Sequence, residues 1–243
     1  MKEDDRTRSE RVLLKLSGEV LAGRAGHGID ADIAEELAGA VLDLAAAGCS
    51  VGIVTGGGNF IRGRDQRSTD RITGDQMGML ATLINGLAFR DALRKRGGEA
   101  VVLSSIPVLG FFETFSPLKA EEYLNRGYVV IYAGGTGNPC LTTDTAAALR
   151  AVQTGCGRLL KGTKVDGVYD SDPAHNPDAE RFKTLTYDEV LRLDLKVMDA
   201  AAIAVCRDAG LPISVFNIWD PKNILRVFKE PSIGSQIGGM NND

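Results

Sequence analysis

The 243-residue chain carries 28 Lys and Arg against 32 Asp and Glu, a formal net charge of −4, with 44% hydrophobic residues. That composition excludes a disordered chain and supplies a core for one large domain or two small ones, while the acidic balance argues against a dedicated nucleic-acid binder. No apolar run reaches the roughly 18–20 residues of a membrane span. Cys49, Cys140, Cys156, Cys206, His27 and His175 form no ligand-spaced set, so reduced thiols in a cytoplasmic protein fit best.

Residues 1–10 are dense in charge, lack the apolar region of a secretory signal, and read as a flexible arm ahead of a single domain, 11–243, with two lobes. Arg11 to Leu16 reads as a first strand. Asp30 caps a helix with apolar positions Ile33, Leu37, Val41 and Leu44, stopped by Gly48. Val51–Val54 is a second strand, followed by Gly56-Gly57-Gly58. Met77, Leu80, Ile84 and Leu87 mark a long helix ending near Arg96, whose stripe serves as core or as subunit interface. The cations Arg90, Arg94, Lys95 and Arg96 fit the negative end of that helix. Strands follow at Ala100–Leu103, Tyr128–Tyr132, Arg158–Leu160 and Ile213–Phe216, and helices at Ser116-Pro117, Thr142–Val152, Asp199–Ala209 and Pro221–Phe228. Asp170 to Glu180 is a polar, proline-bearing excursion that reads as a hairpin or lid. Strands alternating with helices, several of them continuous apolar runs, imply a mainly parallel sheet covered on both faces.

Ligands of such sheets gather beyond the carboxyl ends of the strands, where four loops carry chemistry. Lys15-Leu16-Ser17-Gly18 closes the first strand; its lysine either snorkels to solvent or aims its ammonium at an anion. Gly56-Gly57-Gly58 with Arg62 offers backbone N–H groups and a planar cation to a phosphate. Gly134 to Asp144 runs into a helix with short donors and acceptors suited to a polar ring and ribose. Lys161 to Pro173 carries a tyrosine and carboxylates that could hold adenine and ribose; read from Asp170, it fails as an EF-hand at His175 and Arg181. There is no G-x-x-x-x-G-K-[ST] and no dinucleotide fingerprint after the first strand.

These loops, in this order, resemble the amino acid kinase superfamily and, within it, the bacterial UMP kinases. The matching blocks are LLKLSGE (Leu13–Glu19), GGGN-x-x-RG (Gly56–Gly63), GDQMGMLAT (Gly74–Thr82), TGNP-x-x-TTD (Thr136–Asp144), KGTKVDGVYDSDP (Lys161–Pro173) and LKVMD (Leu195–Asp199). The resemblance implies a three-layer αβα sandwich with an open, mainly parallel, eight-stranded sheet. It implies transfer of the ATP γ-phosphoryl group to UMP, giving ADP and UDP in pyrimidine biosynthesis, with Mg²⁺ carried by ATP. It also implies a homohexamer and admits GTP activation and UTP inhibition, Gly23 to Gly28 matching the region tied to the GTP response.

Carried over by position, the catalytic residues are Lys15, Arg62 and Asp144. Lys15, Leu16, Ser17, Gly18, Gly58 and Arg62 would line the ATP phosphates, and Thr163, Tyr169 and Asp172 the adenosine end. Gly57, Asp75 and the run Thr136, Gly137, Asn138, Pro139, Cys140, Leu141, Thr142, Thr143 would hold UMP. Lys15 and Arg62 would neutralise the charge that develops on the transferring group, and Asp144 would orient Lys15 rather than act as a base. Lys196 and Asp199 stand where a relative places a second cation. The chain departs from the family in the order Phe60-Ile61 and in Cys140-Leu141, where many relatives carry aromatics. Rival readings are a kinase of the same superfamily acting on another acceptor, a non-catalytic nucleotide-binding protein, and a DNA-binding regulatory role.

Overall fold

The computed structural model describes residues 10–61 and 70–238. Its strands are β1 (Arg11–Leu16), β2 (Ser50–Thr55), β3 (Ala100–Ser104), β4 (Glu113–Thr114), β5 (Val129–Ala133), β6 (Arg158–Thr163), β7 (Val168–Tyr169), β8 (Arg181–Phe182), β9 (Thr184–Leu185), β10 (Ile213–Asn217) and β11 (Ser235–Ile237). Its α-helices are α1 (Gly18–Leu21), α2 (Ala31–Ala46), α3 (Arg71–Lys95), α4 (Pro117–Asn125), α5 (Thr143–Gln153), α6 (Tyr187–Arg192), α7 (Ala200–Asp208) and α8 (Asn223–Lys229).

Nine strands form one sheet in the order β4-β3-β5-β2-β1-β6-β10-β11-β9, one more than the eight expected. Every pairing within it is parallel except β10 with β11. β1 is therefore the centre of the sheet, and Val12 to Leu16 are buried. Val12, Leu14 and Leu16 pack with α2, α3 and α8, whereas Leu13 packs with α4, α5 and α7 on the other side. This two-faced burial is why the strands read as apolar runs rather than as alternating patterns.

Helix starts follow the local chemistry. Asp30 accepts the N–H groups of Asp32 and Ile33 to start α2, and Asp70 does the same for Ile72 and Thr73 at α3. Ser116 caps α4 ahead of Pro117, whose missing N–H costs nothing at the first helical position. The excursion 170–180 is a hairpin arm, closed at its base by antiparallel β7 and β8.

The stripe expected on α3 does not form its core face. Leu80 and Ile84 are 52% and 48% exposed, and Met77 and Leu87 are only half-buried. The buried positions are Gly74, Ala81, Thr82, Leu83, Asn85, Gly86, Phe89, Ala92 and Leu93. Close approach is the reason: a Cβ on Gly86 would sit 3.3 Å from Val102 and 3.4 Å from Ala133. Around Gly86 the helix lies so near the sheet that small residues face inward there, while Leu83, Phe89 and Leu93 pack inward on either side of that point. It also begins at Arg71, so Gly74 and Asp75 are helical rather than part of a preceding loop. Among the described residues no helix is long and apolar enough to cross a membrane.

Candidate active site

The carboxyl ends of β1, β2, β5 and β6 converge on one edge, and a buried three-residue charge cluster lies there. Lys15 on β1 and Lys161 on β6 are direct partners in the parallel register, so both side chains leave the sheet on the same face. Each is 7% exposed. Asp144, in the first turn of α5, lies over them, with Oδ1 2.8 Å from Lys15 Nζ and 2.5 Å from Lys161 Nζ. Lys15 thus does not snorkel to solvent.

The electrostatics follow from that packing. Burial, the largest influence on Asp144, opposes its ionisation. The ammonium groups of Lys15 and Lys161 outweigh it and hold the carboxyl at about 2. Lys161 is pushed down to about 8, first by burial and then by Lys15, with Asp144 only partly compensating. At neutral pH two ammonium groups and one carboxylate leave the cluster with a net charge of +1. A buried cationic centre of this kind is prepared for an anion.

The glycine-rich turns sit against this centre. Gly56 N–H donates to the Leu16 carbonyl at 2.9 Å, which fastens the triple glycine to the end of β1. A Cβ on Gly18 would come within 2.5 Å of the Gly56 oxygen and 2.7 Å of Asn59 Oδ1, and one on Gly57 within 2.6 Å of the Gly78 oxygen. Gly18 and Gly57 are therefore required by the close approach of α1 and α3 to the glycine turn, whereas a Cβ on Gly58 would meet only the Glu19 side chain. Asn59 and Asn85 exchange amide hydrogen bonds at 2.8 Å. They also donate to the carbonyls of Gly28 and Gly56, each at 2.7 Å. This satisfied buried network holds the turn. Ser17 precedes α1 without a side-chain cap bond, and Leu16 is fully buried. Arg62 lies outside the described residues.

Two cavities flank the cluster. The first, about 530 Å³, is bounded by Gly57, Gly58, Ile61, Asp75, Met79, Gly135 and the segment 140–143. Asp75 Oδ2 accepts the Cys140 N–H at 2.7 Å, joining α3 to the loop after β5. Cys140 there has a positive φ (φ 69). That is the left-handed region, which disfavours a residue with a side chain. Thr136, Gly137, Asn138 and Pro139 form the turn preceding this wall, with Thr136 Oγ1 accepting the Asn138 N–H at 3.1 Å. The Gly134 N–H is held by Thr82 Oγ1 at 2.8 Å. The Thr142 hydroxyl caps α5 through the Asp144 N–H, so the helix start presents Thr142 and Thr143 to the cavity.

The second cavity, about 430 Å³, has apolar walls from Val165, Val168, Leu195 and Val197 over Val215, with Thr163, Tyr169 and Asp172 at its rim. The Tyr169 hydroxyl donates to Asp166 at 2.6 Å, and Asp172 accepts the Ala174 N–H at 2.9 Å. Lys196 also borders this cavity, with Nζ 2.5 Å from Asp194. Asp144 directly follows a residue of the first cavity wall, and Lys161 lies just before Thr163 of the second. Two cavities of mixed lining with a cationic centre beside them can hold two anionic ligands.

Sequence reasoning placed Lys15 and Asp144 but did not single out Lys161. Its signal was the one that marked Lys15: a lysine inside an apolar strand, Leu159-Leu160-Lys161. Gly74, Gly78 and Met79 lie in the block Gly74–Thr82 but were given no individual role; they too line the first cavity.

Comparison with known proteins agrees with this architecture. Residues 10–217 match the model of the amino acid kinase family. The chain is 48% identical over 231 residues to a uridylate kinase of Legionella pneumophila (strain Lens), covering 94% of each chain. It is 46% identical over 237 residues to a uridylate kinase of Psychrobacter sp. (strain PRwf-1), covering 96% of this chain and 98% of that one. Among solved structures it superposes on a UMP kinase from Bacillus anthracis with a TM-score of 0.90 at 37% identity, covering 94% of this chain and 96% of that one. The corresponding values for a UMP kinase from Ureaplasma parvum are 0.89 and 36%, with 95% and 99% coverage.

Proposed function

The chain belongs to the amino acid kinase family, and on that basis we propose that it is a nucleoside monophosphate kinase transferring the ATP γ-phosphoryl group to UMP. The observation that carries this reading is the buried Lys15–Asp144–Lys161 cluster beside two cavities, one walled by the segment 140–143 that precedes Asp144 and the other by Thr163 that follows Lys161. The second cavity suits adenine against its valine and leucine wall, with Thr163, Tyr169 and Asp172 at the adenosine end. The first cavity suits UMP, with Asp75 facing the ribose and the turn 136–143 around the base. Leu16, Ser17, Gly18, Gly57 and Gly58 bring backbone to the phosphates. Mg²⁺ enters as part of the Mg·ATP substrate.

In the reaction an oxygen of the UMP phosphate attacks the γ-phosphorus as the bond to the β-bridging oxygen breaks, and negative charge spreads over the equatorial oxygens. Lys15 and Lys161 meet that charge already desolvated, so no solvent reorganisation is needed at the moment of transfer. Asp144 holds both ammonium groups on one side and stays ionised far below neutral pH. The attacking phosphate is itself anionic, so no general base is required. By its place in the sequence, four residues after Gly58, Arg62 would add a further cation.

The same reading extends to a cytoplasmic homohexamer acting in pyrimidine nucleotide synthesis. The outward Ile72, Leu80 and Ile84 of α3 support a subunit contact on that helix. A coupled ADP-release assay with Mg·ATP tests the activity against UMP, CMP, dUMP, GMP, carbamate and acetylglutamate. Turnover with UMP, lost in Lys15→Ala and Arg62→Ala, is the expected result. Binding of both nucleotides with no turnover on any acceptor would move the chain to a nucleotide-binding protein.

A further inference from the structure

At the start of α5, Thr142 and Thr145 both donate their hydroxyls to one distant carboxylate. Thr142 Oγ1 bonds Asp199 Oδ2, and Thr145 Oγ1 bonds Asp199 Oδ1 at 2.8 Å. The same Oδ1 accepts the Ala202 N–H at 2.9 Å and so starts α7. Both oxygens of Asp199 are therefore engaged by donors of the protein, and the bonds to an ionised acceptor are the stronger kind.

The location gives these bonds a use. Thr142 belongs to the wall of the first cavity, and Leu195, Lys196 and Val197, just before Asp199, belong to the wall of the second. The residues joined are 57 and 54 positions apart in sequence. Asp144 lies between the two threonines on the same helical turn, so whatever fixes this turn also fixes the carboxylate that holds Lys15 and Lys161.

Resting on the function proposed above, we propose that Asp199 is a positioning residue. Through Thr142 and Thr145 it sets the acceptor wall against the donor wall, so that the two bound nucleotides meet in line. It touches neither substrate and stands as an alternative to a direct role for Asp199 beside a second cation. Small misalignments of reacting groups cost rate steeply, while each pocket taken alone stays intact. The signature is therefore a loss of kcat with little change in either KM.

Thr145→Val tests this cleanly, because Thr145 borders neither cavity and Val has the same shape without the hydroxyl. The expected result is a kcat lower by roughly 10- to 100-fold, with both KM values within about twofold of the wild type. Thr145→Ser, which keeps the hydroxyl, should restore turnover. Asp199→Ser, which keeps a cap for α7 but loses both bridges, should match Thr145→Val in kcat while retaining the folded far-ultraviolet spectrum. An unchanged kcat in Thr145→Val, a rise confined to one KM, or a Thr145→Ser as impaired as Thr145→Val would each overturn the inference. A wild-type chain that binds both nucleotides without turnover would overturn the proposed function and this inference with it. An active wild type with an unaffected Thr145→Val overturns the inference alone.

Discussion

Asp144→Asn is the perturbation that reads the buried cluster most directly. Asparagine keeps the shape of the side chain but leaves Lys15 and Lys161 side by side without a counter-charge 2.8 and 2.5 Å away. Breaking a buried pair in this way costs about 3–5 kcal/mol. The cost should depend on pH in a particular way. In the wild type Lys161 titrates at about 8, below its ordinary 10.5, because burial and Lys15 disfavour its charge. A lysine with a lower value in the folded state binds fewer protons there than in the unfolded chain. Stability then rises with pH between the folded and unfolded values. For the wild type that window runs from about 8 to 10.5, so Lys161 contributes no slope between pH 6 and 8.

Without Asp144 the value falls further, and the window opens at lower pH. In the limit where Lys161 is neutral throughout, the variant gains about 1.4 kcal/mol of stability per pH unit. The difference between wild type and variant should therefore shrink by about 2.7 kcal/mol from pH 6 to pH 8. Above pH 8 both proteins share the same slope and the difference levels off. Urea titrations followed by circular dichroism at pH 6, 7, 8 and 9, at one protein concentration, measure it. A difference that is constant from pH 6 to 8, or that grows, would refute the account of how the two lysines share one carboxylate.

Three further outcomes are expected. If the Lys161 ammonium meets the phosphates, kcat/KM for ATP should fall as pH rises through about 8, the value in the free protein. Lys161→Arg should remove that limb, because a guanidinium stays charged. Gly18→Ala should lower kcat by about 10- to 100-fold, since its Cβ would meet the Gly56 oxygen at 2.5 Å and displace the glycine turn; steady-state kinetics at saturating substrates would show it. Cys140→Gly should raise stability by about 1 kcal/mol by relieving a left-handed residue, and Cys140→Val should lower it, as read by thermal unfolding without nucleotide.

Much of the sheet was legible because strands buried on both faces leave apolar runs, as in Val12-Leu13-Leu14 and Val51–Val54. The cap Asp30 was legible because a helix start needs an oxygen at a fixed place, and the helices read at Ser116-Pro117 and from Thr142 begin within a residue of those positions, although Ser116 and Thr142 were not read as their caps. The face of α3 was not, because its inward positions include Gly, Ala, Thr and Asn, chosen for closeness rather than hydrophobicity. The two- and three-residue strands β4, β7, β8, β9 and β11 are too short to carry a period. Within the site, Lys15 stood out as a charge in a strand, whereas the tie from Asp75 to Cys140 joins residues 65 apart through a backbone N–H that no side-chain pattern records.

The central position of β1 sets a demand on how the chain is made. Its neighbour on one side, β2, follows soon, but on the other side Val12 pairs with Arg158, more than half the chain later. At ribosomal rates the second edge of β1 waits on the order of 10 s for its partner. During that interval a fully apolar strand edge, Val12-Leu13-Leu14, is open to any passing strand. Lys15 and Lys161 lie at the carboxyl end of that edge, so a nascent chain short of β6 lacks one of the two ammonium groups of the cationic centre. Newly made protein should thus depend on holding chaperones in proportion to this delay, and substitutions that weaken the β1–β6 seam should appear as lost yield before they appear as lost activity.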